Sequence, residues 1–336
     1  MKSRELSSML CLVLTALIWG FAFVSQVQGM ATMSPLFFNA TRFTLGAISL
    51  IPVLLIMRRT QPRNTGDDKS ATESTTGTQA EVEAKTELEA GAGWRRNPAI
   101  VGMICGLFLF LASTLQQYGI MYGQSAGRAG FITALYIVLV PLLAFVFLRR
   151  RITITVVTSV GVAVAGFYFL CITNGFGSLT LADLLLLFTS LLFAAHILII
   201  DTLGTHVDAL RLSFAQFCTT AVLSWIGSFA DGSVDWAGAC SSWFPVLYAG
   251  FGSVGIAYTL QAVGQRWVPP TRASLIMSLE SFFSAVGGAL FLGESMTPRG
   301  YLGCALIFLG TLLAQAPAKL PKWPRRSDPA THVSKK

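Results

Sequence analysis

Glu280 lies in an otherwise uncharged apolar stretch of about 20 residues, the length that crosses a hydrocarbon layer about 30 Å thick. Arg42 sits in a second such stretch, between 35 and 57. Holding a charge centrally in hydrocarbon costs about 2.5 to 3.5 kcal/mol, so an ionisable residue there is a functional candidate by default. Glu280 suits a proton carrier or a substrate contact. The plainer alternative is an interhelical pair of Glu280 with Arg42, in which removing one partner strands the other charge.

Polar residues spaced by helical turns extend this pattern. Asn39, Arg42, Gly46 and Ser49 fall on one face of their helix, as do Tyr258, Gln261 and Gln265 on theirs. Ser113 and Gln116 partly mirror the second stripe, and Ala273, Met277, Glu280, Ser284 and Gly287 share a face. Side chains of this kind facing lipid would have no partner, so the stripes are expected to point inward. They either line a cavity or hold helices together by hydrogen bonds. Trp19 reads as an interior aromatic or a gate, and His196 as a hydrogen-bonded core histidine or a proton relay. The candidate cavity set is therefore Trp19, Asn39, Arg42, Gln116, His196, Tyr258, Gln261 and Glu280.

Other motif matches carry less. Gly250-Phe251-Gly252-Ser253-Val254-Gly255 has the spacing of a dinucleotide fingerprint, but no strand precedes it, and close helix packing accounts for the glycines. Gly123-Gln124-Ser125-Ala126-Gly127 has the spacing of a nucleophile elbow without a strand or an Asp and His pair to activate the serine. No catalytic set, cofactor motif or metal-ligand spacing emerges. The cysteines at 11, 105, 171, 218, 240 and 304 show no paired spacing and read as small apolar residues. Asp183 is expected to complement a helix N-terminus. Glu294, ahead of Thr297-Pro298, is expected to serve a structural cap.

The elements that must position these residues follow from composition. A chain of 336 residues with 53% hydrophobic and 12% charged residues and a mean hydropathy of +0.63 belongs mostly in a lipid bilayer. Its net charge of +8 sits in short clusters beside apolar spans, which argues for topology signals and against nucleic acid. Spans are predicted at about 6–26, 35–57, 99–120, 129–148, 152–171, 180–200, 210–230, 242–263, 271–292 and 298–316, ten in all. Residues 60–97 lack apolar periodicity and read as a disordered insertion. The chain is also written twice. Thr114-Leu115-Gln116 and Gly119 reappear as Thr259-Leu260-Gln261 and Gly264, 145 positions later, while Trp19 aligns with Phe193 at an offset of 174. The repeats run over 1–172 and 173–317, with a basic tail at 318–336.

With the N-terminus cytoplasmic, 21 lysines and arginines fall inside and two, Arg128 and Arg299, outside. The positive-inside rule therefore predicts both termini inside. Five spans per repeat then enter from opposite faces, an all-α inverted duplication whose binding site is expected near the midplane between the halves.

The chain resembles the EamA-type families of the drug/metabolite transporter superfamily. The carriers of the resemblance are Ala16-Leu17-Ile18-Trp19-Gly20-Phe21-Ala22-Phe23-Val24, Arg42, Tyr258-Thr259-Leu260-Gln261, Ser278-Leu279-Glu280 and Leu292-Gly293-Glu294 leading through Thr297 and Gly303 to Gly310. It implies a secondary carrier in the cell membrane, of a bacterial inner-membrane type, exporting a small organic metabolite, amino acid or drug by alternating access. Such a protein is no enzyme, needs no cofactor, and partners a small molecule and the bilayer; proton coupling through Glu280 is a further expectation, and the oligomeric state stays open. A non-transporting scaffold or a membrane-embedded enzyme are the alternatives; the first leaves the buried charges unexplained, and the second lacks a convergent acid, base and nucleophile. Where the family often has proline after Leu-Glu, this chain has Ser281, so a weaker kink is expected there.

Overall fold

A computed structural model of the protein describes residues 2–60, 97–149, 153–171 and 179–313. The predicted insertion, Arg150 and Arg151, and the basic tail fall outside these residues. The described chain is helical throughout: α1 (Lys2–Met30), α2 (Pro35–Thr60), α3 (Pro98–Gly123), α4 (Ala126–Thr133), α5 (Tyr136–Leu148), α6 (Ile154–Cys171), α7 (Leu181–Thr202) and α8 (Ala209–Ala230) come first. Short α9 (Trp236–Ser241) and α10 (Trp243–Leu247) lead into a π-helical stretch (Tyr248–Tyr258) and α11 (Thr259–Gly264), followed by α12 (Pro270–Met277), α13 (Leu279–Leu292) and α14 (Pro298–Leu313).

Eight described stretches are long and apolar enough to cross a membrane, among them α4 with α5, and α12 with α13. The fifth and tenth predicted spans correspond to shorter described helices, α6 with an apolar part at Val157–Leu170 and the 16-residue α14. These two pair with one another. Gly166 and Gly303 set that crossing: a Cβ on Gly303 would come within 2.7 Å of the Leu170 backbone nitrogen, so only a residue without a side chain lets the backbones approach.

Helix ends are written locally. Asn97 caps α3 by accepting from Ala99 N at 3.0 Å, ahead of Pro98. Thr180 and Asp183 form a capping box at α7. Asp208 accepts from Arg211 N at 3.0 Å to open α8. Gly293 ends α13 at a φ of 65°, the left-handed conformation that glycine adopts without strain.

Two spans are broken in their middles, at corresponding places. The fourth changes from α4 to α5 through Ala134 and Leu135, and the ninth from α12 to α13 at Ser278. Thr133 and Ser278 are 145 residues apart, the offset of the repeat. No proline stands at 281, yet the backbone ladder is interrupted at Ser278, where Ser281 N turns back to Ser278 O at 3.0 Å. Serines serve the broken turn, with Ser281 Oγ donating to Ser278 O and Ser284 Oγ to Ser281 O, both at 2.8 Å.

The eighth span also departs from a regular helix. Its π-helical stretch widens the turns, and α1 donates to two carbonyls there: Thr15 Oγ1 to Ala257 O at 3.1 Å and Trp19 Nε1 to Ser253 O at 3.2 Å. Gly250 and Gly255 of the fingerprint-like run pack against α2, where a Cβ on Gly250 would come within 2.7 Å of the Leu45 Cβ, while Gly252 faces Ile18 of α1.

Packing is symmetric under exchange of the halves. The third span contacts the sixth and seventh, and the eighth contacts the first and second; the first meets the ninth as the sixth meets the fourth. The second and seventh, fourth and ninth, and fifth and tenth pair across the pseudo-twofold relation. Two helical units packed in this way enclose a shared interior.

Candidate cavity between the two halves

That interior holds a narrow cavity of about 30 Å³, room for one or two water molecules. Trp19, Phe23, Gln26, Arg42, Gln116, Thr133 and Tyr136 line it from the first half. Phe193, Ile197, Ser253, Tyr258, Gln261 and Glu280 line it from the second. Six of the eight predicted residues meet here: Trp19, Arg42, Gln116, Tyr258, Gln261 and Glu280.

Asn39 and His196 stand one layer behind the wall. Asn39 is fully buried, and its Nδ2 reaches Thr114 Oγ1 at 3.5 Å. His196 Nε2 lies 3.0 Å from Gln216 Oε1, and its ring packs edge-on against Tyr258 at 6.3 Å. This is the hydrogen-bonded core arrangement, with the phenol ring of Tyr258 between His196 and the cavity.

Arg42 and Glu280 are only 2% and 3% exposed. The guanidinium lies over the rings of Phe38 and Phe43, at 5.6 and 5.0 Å from their centroids, an attraction of about 0.5 to 2 kcal/mol. Its Nε has no hydrogen-bond partner, and neither has Glu280 Oε1. Among the described residues the ion pairs are Arg128 with Asp183 and Arg272 with Glu5, so Arg42 and Glu280 face one cavity without clasping each other. The break at Ser278 has a consequence for the acid. It places Glu280 in the first turn of α13, where the helix dipole favours negative charge.

The walls are aromatic and amide. Trp19 and Tyr258 meet edge to face at 4.6 Å. Gln116 and Gln261, repeat equivalents, enter from opposite halves; Gln116 Nε2 reaches Thr133 Oγ1 at 3.4 Å, while Gln261 Oε1 is unpartnered. The buried Tyr136 hydroxyl is set against the Glu280 carboxyl, with which it can hydrogen-bond. A buried polar atom without a partner is costly, and Arg42, Gln261 and Glu280 each bring one to this cavity.

Sequence reasoning missed Phe23, Gln26, Thr133, Tyr136, Phe193, Ile197 and Ser253. The repeat could have supplied several. Phe193 is the counterpart of Trp19, and Ile197 of Phe23, at the same offset of 174; Gln26 follows Trp19 by two helical turns. Tyr136 sits in a uniformly apolar run that carries no such signal.

The remaining candidates have structural tasks elsewhere. Ser125 caps α4 by accepting from Arg128 N at 3.2 Å. Glu294 also caps α4, accepting from Ala126 N at 2.6 Å and Gly127 N at 3.0 Å, while Thr297 caps α14 by accepting from Gly300 N at 3.1 Å. Of the six cysteines, 11, 105, 218, 240 and 304 are free thiols.

Helical spans in two packed repeats, with a polar cavity where they meet, define a multi-pass membrane protein of the duplicated transporter type. The EamA-like transporter family matches residues 6–172 and 180–315, and the chain belongs to that family. It is similar to an uncharacterized transporter of Archaeoglobus fulgidus, 27% identical over 92% of this chain and 86% of that one. A shorter likeness, 34% identical over 26% of this chain and 28% of the other, is to the uncharacterized transporter YwfM of Bacillus subtilis. A solved crystal structure, 19% identical with a TM-score of 0.62, matches 92% of this chain and 96% of its own and so shares the fold.

Proposed function

We propose that the protein is a secondary transporter that exports a small organic metabolite, amino acid or drug by alternating access. It crosses the membrane ten times with both termini in the cytoplasm, and its repeats are inverted relative to one another. Substrate binds in the cavity between the halves, with Trp19, Arg42, Gln116, Tyr258, Gln261 and Glu280 as contacts and Asn39 and His196 supporting the wall. Glu280 carries the coupling proton or meets the substrate directly.

One observation carries this reading: a buried acid and a buried base, each with an unpartnered atom, line one cavity built from both halves. A scaffold would gain nothing from leaving them unpaired at the cost of central charges. A cavity of about 30 Å³ is far below the roughly 300 to 1,000 Å³ of a typical ligand pocket. Loading therefore requires the helices to part, which suits alternating exposure of the site to the two faces.

The test is a metabolite-resistance screen with an overexpressing strain against an uninduced control, followed by flux of the protective compound in proteoliposomes. Transport is expected for at least one compound, with its loss in Arg42→Gln and the loss of its dependence on a pH gradient in Glu280→Gln. Purified, folded protein that moves none of the compounds to which it confers resistance would sink the proposal.

A further inference from the structure

The two ends of the molecule are tied by equivalent contacts of unequal strength. At one end, Arg128 in the first turn of α4 reaches across to Asp183 in the first turn of α7. Its Nε donates to Oδ1 at 2.8 Å and its Nη2 to Oδ2 at 2.7 Å. Asp183 also accepts from Thr180 N at 3.0 Å and Thr180 Oγ1 at 2.8 Å. At the other end, Arg272 in the first turn of α12 approaches Glu5 in the first turn of α1 at 3.4 Å. α4 and α12 are the leading halves of the two broken spans, and α7 and α1 open the two repeats. The two ion pairs therefore join equivalent pairs of helices, one at each end of an inverted duplication, although the residues themselves are not repeat counterparts: at the offsets above Asp183 answers to Met9 and Arg128 to Ala273.

Their surroundings differ. Asp183 and Arg128 are 1% and 31% exposed, against 47% and 64% for Glu5 and Arg272. A bidentate pair with a buried carboxylate is among the strong polar contacts, whereas an exposed single contact contributes little. The first end has a second tie as well. Glu294, from the loop before α14, accepts from Ala126 N, Gly127 N and Ser125 Oγ at the N-terminus of α4. The position 145 residues earlier is Arg149, a cation that cannot cap the N-terminus of α12.

We infer that α4 is a gate helix, latched shut at its N-terminus by Asp183 and Glu294, and that the protein rests closed at this end and admits access from the α12 end. α4 has eight residues, about 12 Å at 1.5 Å per residue. Its last residue, Thr133, lines the cavity, as does Tyr136 just beyond the break. Release of the first turn can thus swing α4 about Ala134 and Leu135 and open the cavity to that face. The weaker pair at α12 would close in the alternate state. Under the topology proposed above, the latched end is the outer one.

This inference rests on the transporter reading, but its test needs no substrate. Ser253→Cys, on a background without the native cysteines, is probed in oriented membranes with an impermeant maleimide from each face. Labelling from the α12 face is expected to be at least about tenfold faster than from the α4 face, and the Asp183→Asn, Glu294→Gln pair is expected to raise labelling from the α4 face at least about tenfold. A reciprocal exchange, Arg128→Asp with Asp183→Arg, should return the low rate. Because the neutralised variant could fail to fold, a second measurement tethers Arg128→Cys to Asp183→Cys with a short reducible bismaleimide; this should leave labelling from the α12 face intact. Unchanged labelling of a folded Asp183→Asn, Glu294→Gln protein, equal rates from both faces in the parent, or loss of α12-face labelling on tethering would each overturn the gate. Such a failure would leave flux in proteoliposomes standing, and so would not touch the transport proposal.

Discussion

Burial without pairing sets the chemistry of Glu280 and Arg42. Had they formed a clasp, removing one would strand the other at about 3 to 5 kcal/mol and removing both would recover much of the loss. Since neither ion pair among the described residues joins them, the two changes should instead act independently. Detergent melting of Glu280→Gln, Arg42→Gln and the double variant should give additive effects within about 0.5 kcal/mol. Arg42→Gln should cost about 1 kcal/mol through its lost contact with Phe38 and Phe43. Glu280→Gln should stay folded while its flux loses dependence on a pH gradient; flux still fully coupled would remove Glu280 as the proton site. Rescue in the double variant would restore the clasp.

The decisive feature among the elements is the break at Ser278, made without a proline. Ser281 falls in the first turn of α13, where a backbone N–H has no full helical partner; here it donates to Ser278 O at 3.0 Å. Proline is tolerated in a first turn but costs about 3 kcal/mol in a helix interior. Ser281→Pro should therefore lower the melting temperature far less than Ala285→Pro, four residues on in the same helix. Equal losses from the two changes would mean that α13 runs continuously into α12. The π-helical stretch invites a parallel test on Trp19. Its indole donates to Ser253 O, so Trp19→Phe should cost about 1 kcal/mol of stability for one hydrogen bond, measured by the same melting assay.

The whole molecule is governed by duplication and orientation. The proposed ten crossings with both termini inside predict that a cysteine at Gly232, in the exposed turn after α8, is labelled from outside intact cells. Cysteines at Thr205 and Ala330 should label only after permeabilisation, given 21 basic residues on the inner side and two on the outer. Labelling of position 330 in intact cells would overturn the orientation. The principal helix pairings recur with the halves exchanged, as a duplication requires.

Helical membrane architecture, the duplication and six of the thirteen residues lining the cavity were legible in the residues themselves. Span length, polar stripes and repeat offsets are one-dimensional signals, and they single out Trp19, Arg42, Gln116, Tyr258, Gln261 and Glu280, which the structure gathers at one cavity. They stopped short where position depends on distant chain. Asn39 carries the same stripe signal as Arg42, and His196 read as a core histidine or a relay; only packing put both behind the wall. Glu294 was expected to serve a cap, but the helix it caps begins 168 residues earlier, a partnership no local pattern encodes. Tyr136 reached the cavity because the fourth span breaks just before it. The unequal ties at the two ends are likewise a product of tertiary structure: sequence supplies an arginine and an acid at both, and burial decides which pair holds.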